Sequence, residues 1–152
     1  MELKTAKRIY AEGSDWVKTA LEEEFGKDNL ISIDFTEINN HDKARLSVGY
    51  DKDYLAVRHL ETLDEWAYRM LKLVTKAING KWIPDWNDIN QPKWYNYFEV
   101  RSSGAVFSYS YALNYCQYTS VGSRLCFESS EKAEHARKYF ENFYSQFLLI
   151  TE

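Results

Sequence analysis

The segment Thr62–Gly80, with the sequence TLDEWAYRMLKLVTKAING, carries the strongest local pattern in the chain. Thr62 and Glu65 stand three residues apart, which is the spacing of a capping box at a helix N-terminus. Gly80 stands where a helix commonly ends in a residue of positive φ. The apolar residues between these ends share one helical face, namely Leu63, Trp66, Met70, Leu71, Val74 and Ile78. The segment therefore predicts an amphipathic helix, around which the other elements can be placed.

Two further stretches space their apolar residues as a helix does. The first, near residues 15–25, follows Ser14, a favourable N-cap residue, and ends at Gly26. The second, near residues 131–149, follows Ser129 and Ser130, either of which can cap it. Its inner face is predicted to consist of Ala133, Ala136, Phe140, Phe143 and Phe147. About three helices are therefore expected in the chain.

Between the first two predicted helices, apolar residues alternate with polar ones. The alternation covers residues 31–35 and 46–50, and it continues at Leu55 and Val57 after a turn at residues 51–53. Such a period of two is typical of β-strands with one buried face. These residues predict N-terminal strands and a hairpin, with a short helix across residues 53–59 as the alternative.

Three more strands are predicted near residues 93–101, 105–118 and 121–127. Short connections favour antiparallel neighbours, so these strands should form a meander. The expected fold class is α+β: an antiparallel sheet, made of the C-terminal three-stranded meander and the N-terminal strands, with about three helices packed on one face. Residues 1–152 are expected to form a single globular domain.

The composition bounds the class of protein. The chain has 152 residues, a net charge of −4 and no apolar run of the ~20 residues that a membrane span needs. Its N-terminal stretch lacks the apolar core of a secretory signal. The only cysteines are Cys116 and Cys126, for which two reduced thiols are favoured over a disulfide. We therefore expect a cytoplasmic location and no membrane partner.

Residues suited to metal binding do not form a recognisable site. Asp85 and Asp88 lie in a loop with Asn87 and Asn90 and superficially resemble a cation loop. The central glycine and the closing glutamate of a calcium loop are missing, and turn formation explains these residues better. No metal and no cofactor are expected.

Catalytic residues are also few. His41, His59 and His135 each stand alone in the sequence, and no known catalytic motif is present. Cys126 could act as a nucleophile only beside a base, and none is identifiable from the sequence. No catalytic residues are assigned, and enzymatic activity is not expected. A small hydrolase or transferase that uses Cys126 or His135 is an alternative.

A candidate binding surface follows from the aromatic residues, eleven of which lie between Trp82 and Tyr118. Alternate residues of a strand share a face, and this period places a set of tyrosine, arginine and asparagine residues on the sheet face away from the helices. Such residues could hold a partner protein or a stacked base. Trp82 and Trp86 could line a groove from the preceding loop. The set consists of Tyr95, Tyr97, Arg101, Asn114 and Arg124, and with inverted faces it would consist of Tyr109, Tyr111 and Tyr115.

Two stretches also resemble a group of known proteins. One is Val121–Ser129, VGSRLCFES, followed by a helix with Ala133, Ala136, Tyr139, Phe140 and Tyr144. The other is DEWAY at residues 64–68, leading to NGKWIPDW at residues 79–86. Over about residues 62–149 the chain resembles small phage and prophage proteins of Bacteroides-type bacteria, a family of unknown function. The resemblance implies a bacterial cytoplasm and a mobile-element origin, and it implies no catalytic role.

The leading functional hypothesis is a non-enzymatic binding or accessory protein, with an unknown protein partner. Arg124 is the residue chosen first, because it points outward on the predicted third strand. The first alternative is a single-stranded nucleic-acid-binding protein, since aromatic strands can stack bases. Against it, residues 81–127 contain four Lys or Arg and three Asp or Glu. A homodimer through an open sheet edge is also considered.

Overall fold

A computed structural model of the chain describes residues 1–31, 33–113 and 123–149, which are mostly helical. These residues group into two compact units, Met1–Ile33 and Asp34–Glu152. No helix among the described residues has both the length and the apolar character that crossing a membrane requires. The elements are α1 (Leu3–Glu12), α2 (Asp15–Phe25), α3 (Lys27–Ile31), α4 (His41–Val48), α5 (Leu63–Asn79), β1 (Lys93–Arg101), β2 (Gly104–Leu113) and α6 (Ser130–Leu148).

The first unit consists of α1, α2 and α3. Ala6, Leu21 and Leu30, one from each helix, are buried against one another. The helix predicted near residues 15–25 is confirmed as α2, which ends at Gly26 with a φ of 77°. Each helix thus contributes one buried residue to a small core of its own unit.

The second unit is built around α5. Ten of its seventeen residues are buried, which makes it the most enclosed helix of the described chain. The predicted capping box is present, and the Thr62 N–H donates to the Glu65 carboxylate over 2.9 Å. At the other end, Gly80 has a φ of 62° and its N–H donates to the Lys76 carbonyl. The prediction from residues 62–80 is confirmed.

Helix α6 covers the hairpin of β1 and β2 and packs against α5. Ser129 caps it by accepting a hydrogen bond from the Lys132 N–H, as predicted. Asn96 of β1 is 2% exposed and donates to the Ala133 carbonyl over 2.8 Å and to the Tyr144 hydroxyl over 3.3 Å. The hairpin is therefore tied to α6 by a buried amide as well as by apolar packing.

The predicted α+β fold class is wrong. Within the described residues the sheet has two strands, β1 and β2, rather than three. At the predicted third strand, Ser123–Leu125 form a 3-10 turn, and Phe127 makes a single bridge to Trp94. Residues 121 and 122 of that strand lie outside the described residues, as do residues 114–118 of the second predicted strand. The described residues form more helices than the three expected, and their one sheet is the hairpin of β1 and β2.

The predicted N-terminal strands are also wrong, because helix-capping residues override the alternation of apolar residues. At α4, the Asn40 side chain accepts from the Lys43 N–H over 2.9 Å, and Gly49 adopts a left-handed conformation. Residues 27–31 belong to α3, and a 3-10 turn begins at Phe35. Lys52–Leu55 form a second 3-10 turn, close to the short helix considered as the alternative. Ser32 lies outside the described residues.

The predicted division of the sheet into one buried and one exposed face fails on β1. Tyr95, expected on the exposed face, is 1% exposed. The register slips between Tyr97 and Phe98, so strict alternation does not continue along the hairpin. In addition, Phe127 pairs with Trp94 and covers the edge of the strand. The proposed sheet surface is therefore not a continuous exposed face.

Candidate functional site

A cleft in the second unit brings together side chains from four parts of the chain. It has a volume of about 840 Å³ and lies along the C-terminal half of α5. We call it the α5 cleft. Its other walls come from the turn before α5, the loop after α5 and the 3-10 turn before α6. Its aromatic and cationic lining residues are Tyr50, Tyr54, Trp82, Trp86, Lys72, Lys76, Lys81 and Arg124.

One wall of the cleft is a face of α5. That face carries Lys72 and the residues three, four and seven positions after it, which are Thr75, Lys76 and Asn79. Thr75 is 4% exposed, and its hydroxyl has no hydrogen-bond partner among the described residues. An unpaired buried hydroxyl costs about 1–3 kcal/mol. Thr75 thus adds an unpaired polar group just beneath the surface of this wall.

A second wall consists of Tyr50 and Tyr54, whose ring centroids are 4.5 Å apart. Lys76 joins this wall to α5, because its ammonium donates to the Tyr50 hydroxyl over 3.0 Å and lies 4.9 Å from the ring centroid. The backbone of Tyr50 is held as well, since its carbonyl accepts from the Arg45 guanidinium over 2.6 Å. Both rings are half-buried and keep part of their surface accessible.

Arg69 holds the backbone of Tyr54 in place. Its guanidinium forms a two-point ion pair with Glu61, with both N–O distances at 2.7 Å. It also donates to the carbonyls of Tyr54 and Ala56. The Arg69 and Glu61 side chains are 7% and 10% exposed. Hydrogen bonds from Arg69 hold the pKa of Glu61 at about 2, below its ordinary value of 4.5. The turn before α5 is therefore fixed by a charged pair on α5 and its flank.

A third wall is the loop that carries Trp82 and Trp86. Lys93 is 3% exposed, donates to the carbonyls of Asp88 and Gln91, and lies 5.5 Å from the Trp86 ring centroid. The Asp85 carboxylate accepts a hydrogen bond from the Asn87 N–H, and the Asp88 carboxylate accepts one from the Asn90 N–H. These carboxylates therefore shape turns, as predicted. The described residues contain no cluster of three metal-ligating side chains.

Arg124 reaches the cleft because Asn79 holds the segment that follows it. The Asn79 amide donates to the Cys126 carbonyl over 2.8 Å, and its oxygen accepts from the Glu128 N–H at 3.2 Å. Leu125, next to Arg124, is 1% exposed, whereas Arg124 itself is exposed. The backbone is thus fixed while the guanidinium stays accessible, as the sequence predicted for this side chain.

The charge of the cleft is opposite in sign to that of the chain. The described lining residues include four cationic side chains and no carboxylate, in a chain of net charge −4. Asp51 and Asp53 line a separate depression of about 380 Å³, which shares Tyr50 and Tyr54 with the cleft. Like charges held near one another favour an anion between them. The arrangement is chemically suited to bind an anion beside aromatic rings.

The surroundings of Cys126 and His135 indicate structural roles for both residues. Cys126 is 1% exposed, and burial raises the pKa of its thiol to about 11. The thiol is therefore protonated at neutral pH, whereas a nucleophilic cysteine needs its thiolate form. Nε2 of His135 lies 2.9 Å from the Ile38 carbonyl, an acceptor, so this nitrogen carries the proton. His135 thus joins α6 to the residues before α4.

The structure brings together three of the predicted site residues and separates the others. Arg124, Trp82 and Trp86 line the α5 cleft. Tyr95 is buried, and Arg101 pairs with Glu99 at the exposed end of the hairpin. Tyr97 is half-buried on β1, and neither it nor Arg101 lines the cleft. Asn114 and Tyr115 lie outside the described residues, and the side chains of Tyr109 and Tyr111 are not described.

Tyr50, Tyr54, Lys72 and Lys76 are lining residues that the sequence pattern did not single out. The alternation of apolar residues places the two tyrosines in or beside a predicted hairpin rather than at a site. The two lysines are four residues apart on α5, and Thr75 stands on the same face. That polar stripe, close to Lys81 and Trp82 in sequence, is the signal that could have located the cleft.

No family model, no curated protein and no solved structure matches this chain. The resemblance to phage and prophage proteins of Bacteroides-type bacteria therefore stays a prediction from the sequence. The function of the chain has to be inferred from the geometry and the charge of the α5 cleft.

Acid is expected to weaken the Arg69–Glu61 anchor in a defined range of pH. The pKa of Glu61 is lower in the folded chain, so the unfolded chain binds this proton more readily. The contribution of Glu61 to the free energy of unfolding is complete above pH 4.5 and is lost as the pH falls toward 2. In urea unfolding across this range, the double variant Glu61→Gln, Arg69→Gln should lose less stability with falling pH than the unchanged chain.

The double variant avoids leaving a buried guanidinium without its partner. Glu99→Gln is the control, because it removes an exposed carboxylate and should keep the steeper pH dependence. Equal pH dependence in the double variant and the unchanged chain would contradict the assignment to Glu61.

Replacement of Asn79 should destabilise the segment that carries Arg124. Asn79→Ala removes one hydrogen bond to the Cys126 carbonyl and one from the Glu128 N–H. The free energy of unfolding should fall by about 1–3 kcal/mol, because a buried carbonyl loses its donor. Urea unfolding measures the change, and Asn87→Ala in the exposed loop is the control. A loss no larger than that of the control would show that Asn79 does not hold this segment.

Proposed function

We propose that this chain is a binding protein without a catalytic role of its own, and that it binds an anionic ligand in the α5 cleft. The observation that carries the proposal is that four residues with cationic side chains line one cleft of about 840 Å³. The ammonium of one of them, Lys72, lies 4.8 Å from the ring centroid of Tyr68, outside the cleft lining. Pockets of roughly 300–1,000 Å³ are typical of sites for small molecules or for one part of a larger ligand. The cleft is therefore large enough for a ligand bigger than a single ion.

The placement of the cations supports binding at this position. Lys72 and Lys76 come from one helical face, Lys81 from the loop after α5, and Arg124 from the turn before α6. Lys76 and Arg124 are exposed, while Asn79 lies between the two segments and fixes one to the other. The backbone segments that carry Lys76 and Arg124 are thus held by the fold, which lowers the entropic cost of bringing their charges to one ligand.

Binding is favoured over catalysis by the state of the candidate nucleophile. Cys126 lines the cleft, but its thiol is buried, and burial raises the pKa of this thiol to about 11, so it is protonated at neutral pH. His135, the other residue considered for catalysis, is occupied by a hydrogen bond to the Ile38 carbonyl. Both residues are explained by the packing of the second unit.

The origin of the chain is part of the same proposal. An accessory protein of a phage or prophage agrees with the resemblance carried by residues 62–149. Genes for virion or integration proteins on either side of this gene would support that origin. A neighbourhood of housekeeping genes in several genomes would contradict it without affecting the binding proposal.

An inorganic anion without a ring tests whether the cleft binds negative charge. Inorganic tripolyphosphate should bind the unchanged chain in calorimetric titration, with an affinity that decreases as salt screens the charges. Arg124→Glu should weaken binding roughly tenfold to a hundredfold, since one charge-assisted contact is worth about 1.5–3 kcal/mol. The measurement is made at low ionic strength, where the attraction is strongest.

Lys138→Glu is the matched control for this titration. Lys138 is exposed on α6 and does not line the cleft, and its reversal changes the net charge by the same amount. It should leave the affinity nearly unchanged. Equal weakening by the two variants would mean that tripolyphosphate responds to net charge alone, and no binding by the unchanged chain would refute the proposed function.

A further inference from the structure

We infer that the ligand of the α5 cleft is a nucleobase-bearing phosphate, either a free nucleotide or a unit of a single strand. The inference rests on the proposed function, because it assigns a chemical class to the ligand of the same site. In this assignment the aromatic walls bind a planar ring while the cations bind its phosphate groups. Trp82, Arg124 and Thr75 are the lining residues that favour such a ligand over other anions.

Trp82 is the aromatic lining residue of the cleft that lacks a ring or cation contact among the described residues. Tyr50 and Tyr54 lie against each other, and Lys76 and Arg69 lie over their rings at 4.9 and 5.1 Å from the centroids. Trp86 has the ammonium of Lys93 at 5.5 Å. Within the described ranges, no ring and no cation stacks on the indole of Trp82, which is half-buried. The Trp82 indole is thus the ring of the cleft without an aromatic or cationic stacking partner in the described part of the chain, and in this proposal it stacks on the base of the ligand.

The cations that line the same cleft as this indole are suited to phosphate. Lys81 is its neighbour in sequence, and Arg124 lines the same cleft. Arginine binds phosphate oxygens through two parallel N–H groups, and lysine binds them as a point charge. Base stacking on aromatic side chains beside a positively charged groove is the recurrent way in which proteins bind single strands. Trp82 and Arg124 supply both components here.

The buried hydroxyl of Thr75 favours a ligand with polar edges over a purely ionic one. Thr75 lines the cleft, is 4% exposed and has an unpaired hydroxyl among the described residues. An inorganic anion would be satisfied by the exposed cations. A base or a sugar offers carbonyl, amino or hydroxyl groups that can pair with a recessed hydroxyl as well.

An acidic peptide is the main competing ligand, since it could also neutralise the cations. It would use the charges of the cleft without needing a ring on Trp82. The two ligands therefore differ in their dependence on this indole. The experiment compares probes that carry the same charge with and without bases.

The test uses the full chain and a fluorescently labelled oligothymidylate of about six nucleotides, within the range that small single-strand sites cover. The matched probe is an abasic strand of the same length, and a third probe is an oligoglutamate of equal charge. Binding is measured by fluorescence anisotropy at low salt. The oligothymidylate should bind roughly tenfold to a hundredfold more tightly than the abasic strand, as expected for one stacked base.

Trp82→Ala should remove this preference and leave the affinity for the abasic strand within about twofold. Trp16→Ala is the control, because Trp16 is 75% exposed and belongs to the first unit. It should keep the preference. The comparison of the two strands on the unchanged chain does not depend on whether Trp82→Ala folds.

Each outcome separates the inference from the proposed function. Equal affinity for the thymidylate and abasic strands, or tighter binding of oligoglutamate, would overturn the inference while anion binding in the cleft still stands. No binding of any probe, together with none of tripolyphosphate, would refute both. Thymidine triphosphate that competes fully with the strand would support a free nucleotide as the source, and weak competition would support a single strand.

Discussion

The burial of α5 is the constraint on which the second unit depends. Polar side chains on the inner face of a helix that is enclosed along most of its length are destabilising unless they are paired, and on α5 the Thr75 hydroxyl is the unpaired exception among the described residues. Two paired polar side chains, Arg69 and Asn79, stand ten residues apart, and both bind backbone groups of neighbouring segments. Arg69 fixes the turn that carries Tyr54, and Asn79 fixes the turn that carries Arg124. The polar requirements of one helix thereby position two walls of the cleft.

This arrangement explains how segments with little regular structure become ordered. The turn before α5 and the segment after Arg124 lack the repeated hydrogen bonds of a helix or sheet, so their carbonyls need other donors. Side chains of α5 supply them, and Lys93 does the same for the loop of Trp86. A buried ion pair such as Arg69–Glu61 adds little net stability, yet losing one partner is costly. Because the loss of either partner is costly, the pair favours the arrangement of the turn in which both charges and the two carbonyls are paired.

The sequence predicts the long helices well and the rest of the fold poorly. For α2, α5 and α6, apolar spacing and capping residues agree, and each is found close to its predicted bounds. At α4 they disagree: the apolar residues alternate, but Asn40 and Gly49 are the two ends of a helix. In so short a segment, the hydrogen bonds made by the capping residues outweigh a pattern of three apolar residues. Taken as a pair, Asn40 and Gly49 would have predicted α4 from sequence.

The candidate site shows why the periodicity of residues along the chain does not predict which side chains share a binding surface. Arg124, Trp82 and Trp86 can be found from sequence because residues of these types are often functional when exposed. The expected sheet face fails because Tyr95 and the adjacent Asn96 are both buried, and because the alternation also breaks at the slip after Tyr97. The nearly equal numbers of cationic and anionic side chains in residues 81–127 hide the positive charge of the cleft for a related reason. A count over that stretch excludes the lysines of α5, and the fold adds them to the same cleft. Electrostatic potential depends on distance in space, so cations from three segments can favour an anion where no basic run exists in the sequence.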